Sequence, residues 1–146
     1  MAASARNPVT RFAGALLLTS SLTLVALAAP AQANDWDRYA RSQYTYCDAK
    51  LIADLWGIDV DQAKAQIGMK IRTGIGRNIP GVLRLSRQSG NACTWEDTQH
   101  SYEDAEQLAD LWGLSQPYQA KQKVARYYTR GQSHIVLEAL ANGNGD

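Results

Sequence analysis

Apolar residues recur at helical spacing in two stretches of the chain that share much of their sequence. Residues 45–58 and 101–114 carry the same Tyr, Asp, Ala, Ala, Asp, Leu, Trp and Gly in register. Within each stretch the apolar positions follow the i, i+3, i+4, i+7 spacing of a helix that buries one face. A block repeated with this fidelity indicates an internal duplication.

Both stretches also carry helix start and stop signals. Thr45 and Ser101 each stand three residues before an aspartate, a spacing close to that of a capping box. The glycine after each Leu-Trp dipeptide is typical of a helix that ends in a left-handed residue. We therefore predict one helix in each copy.

A second helical run follows each block. Residues 60–72 come after Asp59 and residues 116–130 come after Ser115, and both polar residues are placed to cap the helix behind them. Each copy is thus predicted to form a helical hairpin.

One position in the second helices is small in both copies. Gly68 in the first copy aligns with Ala125 in the second. Because a small side chain lets backbones come together, we expect a close helix approach at this position.

The remaining segments favour an all-α fold. Residues 34–44 and 133–141 show helical patterns, and no segment alternates apolar and polar residues as a half-buried strand does. Since a hairpin with one apolar face must bury it against a neighbour, we predict a small helical bundle. It is built from two tandem helical-hairpin repeats, at about 45–91 and 101–141, related by a pseudo-two-fold axis.

The first 33 residues have the layout of a secretory signal peptide. Arg6 and Arg11 precede an uncharged stretch at 12–29, and residues 31–33 read Ala-Gln-Ala. An uncleaved membrane anchor is the alternative, but the small polar residues and the cleavage motif favour removal. We expect residues 34–146 to form a single helical domain, periplasmic or secreted, with no stable membrane insertion.

The charge balance argues against nucleic acid as a partner. The chain has 15 basic and 14 acidic residues, and loss of Arg6 and Arg11 leaves 13 against 14. A near-neutral exported domain lacks the basic excess of a general nucleic-acid binder. No metal or cofactor motif is recognisable, so we expect neither.

Two cysteines remain in the exported part of the chain. Because disulfides persist in oxidising compartments, we predict a structural bridge between Cys47 and Cys93. The two residues lack the close C-x-x-C spacing that tunes a redox-active pair.

Asp54 and Asp110 are the candidate catalytic residues. Each lies in the last turn of its predicted helix, where the helix dipole disfavours a carboxylate. One interpretation is an ion pair with a base of the following helix, such as Lys64 or Arg72 in the first copy. The other is a symmetric carboxylate pair, which is the chemistry of a small hydrolase.

Candidate binding residues fall into an aromatic and a basic group. Trp56 and Trp112 are either core residues or stacking platforms for a sugar or peptide. Four arginines lie in a segment that has no acidic residue: Arg72, Arg77, Arg84 and Arg87. They either match helix dipoles and neighbouring acids or form one surface for an anionic partner.

Together these patterns favour an exported, non-catalytic binding or accessory module of the bacterial cell envelope. Its expected partner is an anionic envelope polymer or a protein. The alternative is a small secreted hydrolase using Asp54 and Asp110. A protein inhibitor or chaperone is a third possibility, for which an exposed apolar face would be the sign.

Overall fold

The protein is all-α, as predicted. The structure, a computed structural model, describes residues 28–143, with side chains from residue 34 onward, and contains no β-strand in that range. Its α-helices are α1 (Ala28–Ala40), α2 (Tyr46–Trp56), α3 (Val60–Arg72), α4 (Ile79–Gln88), α5 (Tyr102–Leu111), α6 (Pro117–Thr129) and α7 (Ser133–Gly143). Two 3-10 turns, Gly76–Asn78 and Glu96–Thr98, precede α4 and α5.

The leading helix differs from its predicted bounds. It begins at Ala28 and ends at Ala40, where residues 34–44 were expected. The hydroxyl of Ser42 donates to the carbonyl of Tyr39 (2.7 Å) just after the helix ends. Residues 1–27, most of the expected signal peptide, and residues 144–146 lie outside the described residues.

The repeated helix starts form as predicted. The hydroxyl of Thr45 accepts from the backbone N–H of Asp48 (3.2 Å), and the Asp48 carboxylate accepts from the Thr45 N–H (2.9 Å). Ser101 and Asp104 repeat both bonds, at 3.1 and 2.8 Å. Both copies therefore have a complete capping box with Asp in place of Glu.

The helix ends are equivalent too. Gly57 and Gly113 have φ of 65° and 62°, in the left-handed region that glycine adopts without strain. The residue after each glycine donates a backbone hydrogen bond back into the helix: Ile58 to Ala53 (3.1 Å) and Leu114 to Ala109 (2.8 Å). The predicted stop signals are confirmed.

The start of α6 departs from prediction. Asp59 caps α3 by accepting from the Gln62 N–H (2.7 Å), as expected. Ser115 does not cap α6, because its N–H and hydroxyl both donate to the side-chain oxygen of Gln119 (3.1 Å each). The N-cap is Gln116, which makes no side-chain capping bond, and Pro117 begins the helix.

The hydrophobic core forms around α2. This helix contacts α3, α4 and α6, and the α5–α6 pair closes the core from the other side. The largest fully buried apolar side chains come from the six helices α2 to α7: Leu51, Ile52, Ile67, Ile79, Leu108, Val124 and Val136. None of the described helices is long and apolar enough to cross a membrane.

The predicted disulfide is present at the edge of this core. Cys47 and Cys93 are bonded, with Cα atoms 5.8 Å apart, and both are buried. The N–H of Cys93 donates to the hydroxyl of Thr129 (2.9 Å), and Arg87 donates to the Thr129 carbonyl. The segment between the two copies is thus tied to α2 covalently and to α6 by hydrogen bonds.

Candidate functional site

A polar concave surface of the described chain surrounds Tyr44. Three adjoining hollows share this residue, and one of them, about 420 Å³ in volume, is called here the Tyr44 cleft. Its lining includes six residues with titratable side chains: Tyr44, Asp48, Arg87, Tyr128, Arg130 and His134.

Turns and helix ends bring these side chains together. Tyr44 lies in the turn between α1 and α2, and Arg87 lies in the last turn of α4. Gly131, with φ of 73°, turns the chain sharply between α6 and α7. Because of this turn, Arg130 and His134 both line the cleft.

The cleft carries a net positive charge. Asp48 is the one carboxylate in its lining, and an Asp48 oxygen lies 3.6 Å from the Arg87 guanidinium. That guanidinium also donates to the Thr129 carbonyl. Arg130 has no acidic partner among the described residues. Two guanidinium groups against one carboxylate favour an anionic ligand.

A hydrogen-bonded chain fixes the tyrosine on the cleft wall. The hydroxyl of Tyr128 lies 2.9 Å from Nε2 of His100, whose Nδ1 lies 3.3 Å from the Asp104 carboxylate. Burial, and secondarily the charge of Asp104, raise the pKa of Tyr128. The phenol therefore stays neutral at physiological pH, as a hydrogen-bonding group and not as a phenolate nucleophile.

The adjoining hollows extend this surface in two directions. One contains Arg77, beside the glycines that end α3, and adds another cation. The other contains Tyr39 and Tyr46. The pKa of Tyr39 is raised to about 12, mainly by burial and to a smaller extent by Asp48 and Tyr46. The surface around Tyr44 is thus basic on one side and rich in tyrosine side chains on the other.

The four predicted arginines do not form one surface. Arg87 and Arg77 reach the hollows around Tyr44. Arg72 instead binds the carboxylate of Asp35 in α1, with Nε 2.6 Å from the oxygen. Arg84 is exposed and lines none of these three hollows.

The two repeated tryptophans lie away from the Tyr44 cleft. Trp56 is 38% exposed, and the Lys70 ammonium is 5.6 Å from its ring centroid. Trp112 is half-buried against the core, where it packs on Tyr127 with ring centroids 6.0 Å apart. Lys123 covers the Trp112 ring at 4.3 Å.

The two candidate catalytic aspartates have different surroundings. Asp54 forms an ion pair with Lys50 of its own helix, at 2.6 Å. The predicted pairing with Lys64 or Arg72 of the following helix is therefore wrong. This hydrogen bond is the main cause that raises the pKa of Lys50. Asp110 is exposed and lines a separate hollow at the α5–α6 turn, with Ser115 and Gln116.

Sequence reasoning missed most of the cleft. It did not single out Tyr44, Tyr128 or Arg130, because their apposition depends on turns between helices distant in the chain. In residues 34–143 no cluster of three or more His, Cys, Asp or Glu side chains could hold a metal ion.

Comparison with known proteins adds no assignment. No family model, curated protein or solved structure matches this chain. Its function is therefore argued from the geometry of the cleft.

Proposed function

We propose that this protein is an exported, non-catalytic binding module of the bacterial cell envelope that binds an anionic group in the Tyr44 cleft. The observation that carries the proposal is the convergence of Arg87, Arg130 and His134 on one hollow of about 420 Å³. Of the two guanidinium groups only that of Arg87 has a carboxylate beside it, so the cleft has an unbalanced positive charge.

The phenols complete a site suited to phosphate or carboxylate oxygens. Tyr44 and Tyr128 line the same hollow, where the Tyr44 hydroxyl can donate to an anion while the Tyr128 hydroxyl is bonded to His100. Guanidinium groups bind such oxygens through charge-assisted hydrogen bonds. An anionic polymer of the envelope would present many equivalent groups to this cleft.

The proposal includes a periplasmic or secreted location and a pseudo-two-fold relation between the two helical hairpins. The signal-peptide pattern and the buried disulfide fit a periplasmic or secreted protein. N-terminal sequencing of the exported protein is expected to begin at Asn34. The matching caps of α2 and α5 also support a pseudo-two-fold relation between the two hairpins, which superposition of α2–α3 on α5–α6 would test.

The alternative hydrolase gains no supporting contact. Asp54 is engaged by Lys50, and Asp110 lines a hollow that does not include Asp54. We therefore place Asp54 and Asp110 outside the proposed binding site.

Binding of tripolyphosphate to the exported protein tests the proposal. Arg130→Ala removes a cation of the cleft, and Arg84→Ala is the matched control because Arg84 is exposed and lies outside it. Since a hydrogen bond to a charged group contributes about 1.5–3 kcal/mol, Arg130→Ala should weaken binding about tenfold or more. Arg84→Ala should leave the calorimetric Kd nearly unchanged.

Two results would overturn the proposal. One is the absence of tripolyphosphate binding at low ionic strength. The other is equal weakening by Arg130→Ala and Arg84→Ala, which would mean a diffuse attraction to the basic surface. Binding of hexaglutamate, measured in the same way, distinguishes the two classes of anionic partner. If hexaglutamate binds more tightly than tripolyphosphate, the partner is an acidic protein and not an envelope polymer.

A further inference from the structure

The first repeat has a helix lying across its second helix. The carbonyl group of Asp35 in α1 lies against Gly68 of α3, where an added Cβ would overlap it. Trp36 of α1 lies over Lys64, with the ammonium 5.3 Å from the ring centroid. The same ammonium is 4.8 Å from the ring of Tyr46. In this copy a lysine is held between a tryptophan and the repeated tyrosine.

The second repeat has the same lysine contact without the covering helix. Lys121 lies 4.7 Å from the ring centroid of Tyr102 and 5.4 Å from that of Trp95. Beside it is an open hollow of about 410 Å³, called here the α6 groove. Tyr118, Gln122 and Ala125 of α6 line it together with Lys121 and Trp95.

The α6 groove cannot accept a helix as closely as α3 does. Ala125 occupies the position equivalent to Gly68, where the missing Cβ admits the backbone of α1. A Cβ at this point holds a second backbone further away. A helix docked in the α6 groove would therefore lie further from α6 than α1 lies from α3.

The lining of the groove combines aromatic surface with balanced charge. Tyr118 is 63% exposed, and its hydroxyl accepts a hydrogen bond from Gln122 (2.8 Å). Trp95 rests on His100, with ring centroids 6.0 Å apart, which fixes its orientation. Lys121 and Glu96 are the two charged residues of the lining, and they cancel. A neutral ligand is electrostatically matched to this groove, in contrast to the Tyr44 cleft.

Flat rings with an apolar face and polar edges fit this combination. Aromatic side chains offer a large apolar surface, and a few convergent polar groups set the orientation of a ligand in a pocket. We propose that the α6 groove binds a neutral sugar ring of an oligosaccharide, stacked against Tyr118 and bordered by Trp95. Gln122, Lys121 and Glu96 bind its hydroxyl groups at the rim.

Titration of the exported protein with cellotetraose and with chitotetraose, followed by NMR, tests this site. The indole N–H signal of Trp95 and the amide signals of residues 118–122 are expected to shift and to saturate at millimolar sugar. Tyr118→Ala should weaken binding about fivefold or more, because it removes one stacking face. This test is independent of anion binding, since Tyr118 lies outside the Tyr44 cleft.

Tyr102→Ala is the matched control. Tyr102 is 53% exposed and touches Lys121, but it does not line the groove. It should leave sugar affinity within about twofold of the unsubstituted protein, and both variants should keep its thermal unfolding midpoint, because exposed side chains contribute little to stability. No shift with either sugar, or equal affinities in Tyr118→Ala and the unsubstituted protein, would overturn the proposal. Shifts at residues 118–122 that follow protein concentration without sugar would also overturn it, since a second copy would then occupy the groove.

Discussion

Replacement of Gly68 by alanine tests the packing of α1 on α3. In the interior of an exposed helix such a change usually stabilises a protein by about 0.5–1 kcal/mol, because glycine loses more backbone entropy on folding. At Gly68 the added Cβ would overlap the carbonyl group of Asp35. A backbone atom cannot move aside as a flexible side chain can, so α1 itself has to shift.

The magnitude follows from these opposing effects. Overpacking of this kind costs about 1–3 kcal/mol. The shift also disturbs the ion pair of Asp35 with Arg72 and the contact of Trp36 with Lys64. After the helix-propensity gain is subtracted, we expect Gly68→Ala to reduce the free energy of unfolding by about 1–2 kcal/mol.

Gly81→Ala is the matched control. Gly81 lies in α4, and a Cβ added there would meet no atom within 4 Å. It should stabilise the protein by about 0.5–1 kcal/mol. Urea unfolding followed by circular dichroism measures both variants, and hydrogen exchange of residues 34–40 reports the docking of α1. Equal stabilisation by Gly68→Ala and Gly81→Ala would refute the close approach of the two helices.

Three further predictions concern stability. Replacing Cys47 and Cys93 by serine opens a loop spanning a separation of 46 residues and should cost about 4 kcal/mol in the chain-entropy model, measured by urea unfolding. Thr45→Ala and Ser101→Ala should each cost about 1 kcal/mol through loss of a helix cap; no change in the urea midpoint would exclude that role. Tyr39 has a folded-state pKa of about 12, above its ordinary 10.0, so the unfolded state loses this proton first as pH rises. Stability should therefore fall between pH 10 and about 12, and Tyr39→Phe should flatten that part of the curve; an unchanged curve would contradict the assigned cause.

Local signals in the sequence were sufficient for the helix framework. Thr45 and Ser101 cap their helices, and Gly57 ends α2, because these interactions involve residues only a few positions apart. The disulfide could be predicted from the even cysteine count together with the expected export signal. The small residue at Gly68 correctly indicated a close approach, although the partner was the leading helix, which the repeat pattern alone does not specify.

The ion pair of Asp54 was accessible to sequence reasoning but was assigned to the wrong partner. Lys50 lies four residues earlier, the spacing at which side chains meet on one helix face. The helix dipole disfavours a carboxylate in the last turn, and the prediction therefore assigned Asp54 a base on the following helix. Lys50 reaches Asp54 within α2, so the ion pair needs no contact between helices.

The Tyr44 cleft could not be predicted by the same means. Helical periodicity identifies the buried face of each helix, but not which turns become neighbours on the outside. Arg87, Tyr128 and His134 come from α4, α6 and α7, and the turns at Tyr44 and Gly131 determine how they converge. Their interaction is therefore a property of the assembled bundle.

Residue-level NMR mapping of tripolyphosphate on residues 34–146 tests the central claim most directly. The account predicts saturable shifts confined to the Tyr44 cleft, at Tyr44, Arg130 and His134, with little change at Arg84. Shifts spread evenly over Arg84 and the other exposed arginines, or no saturable shift at all, would contradict an anion-binding cleft.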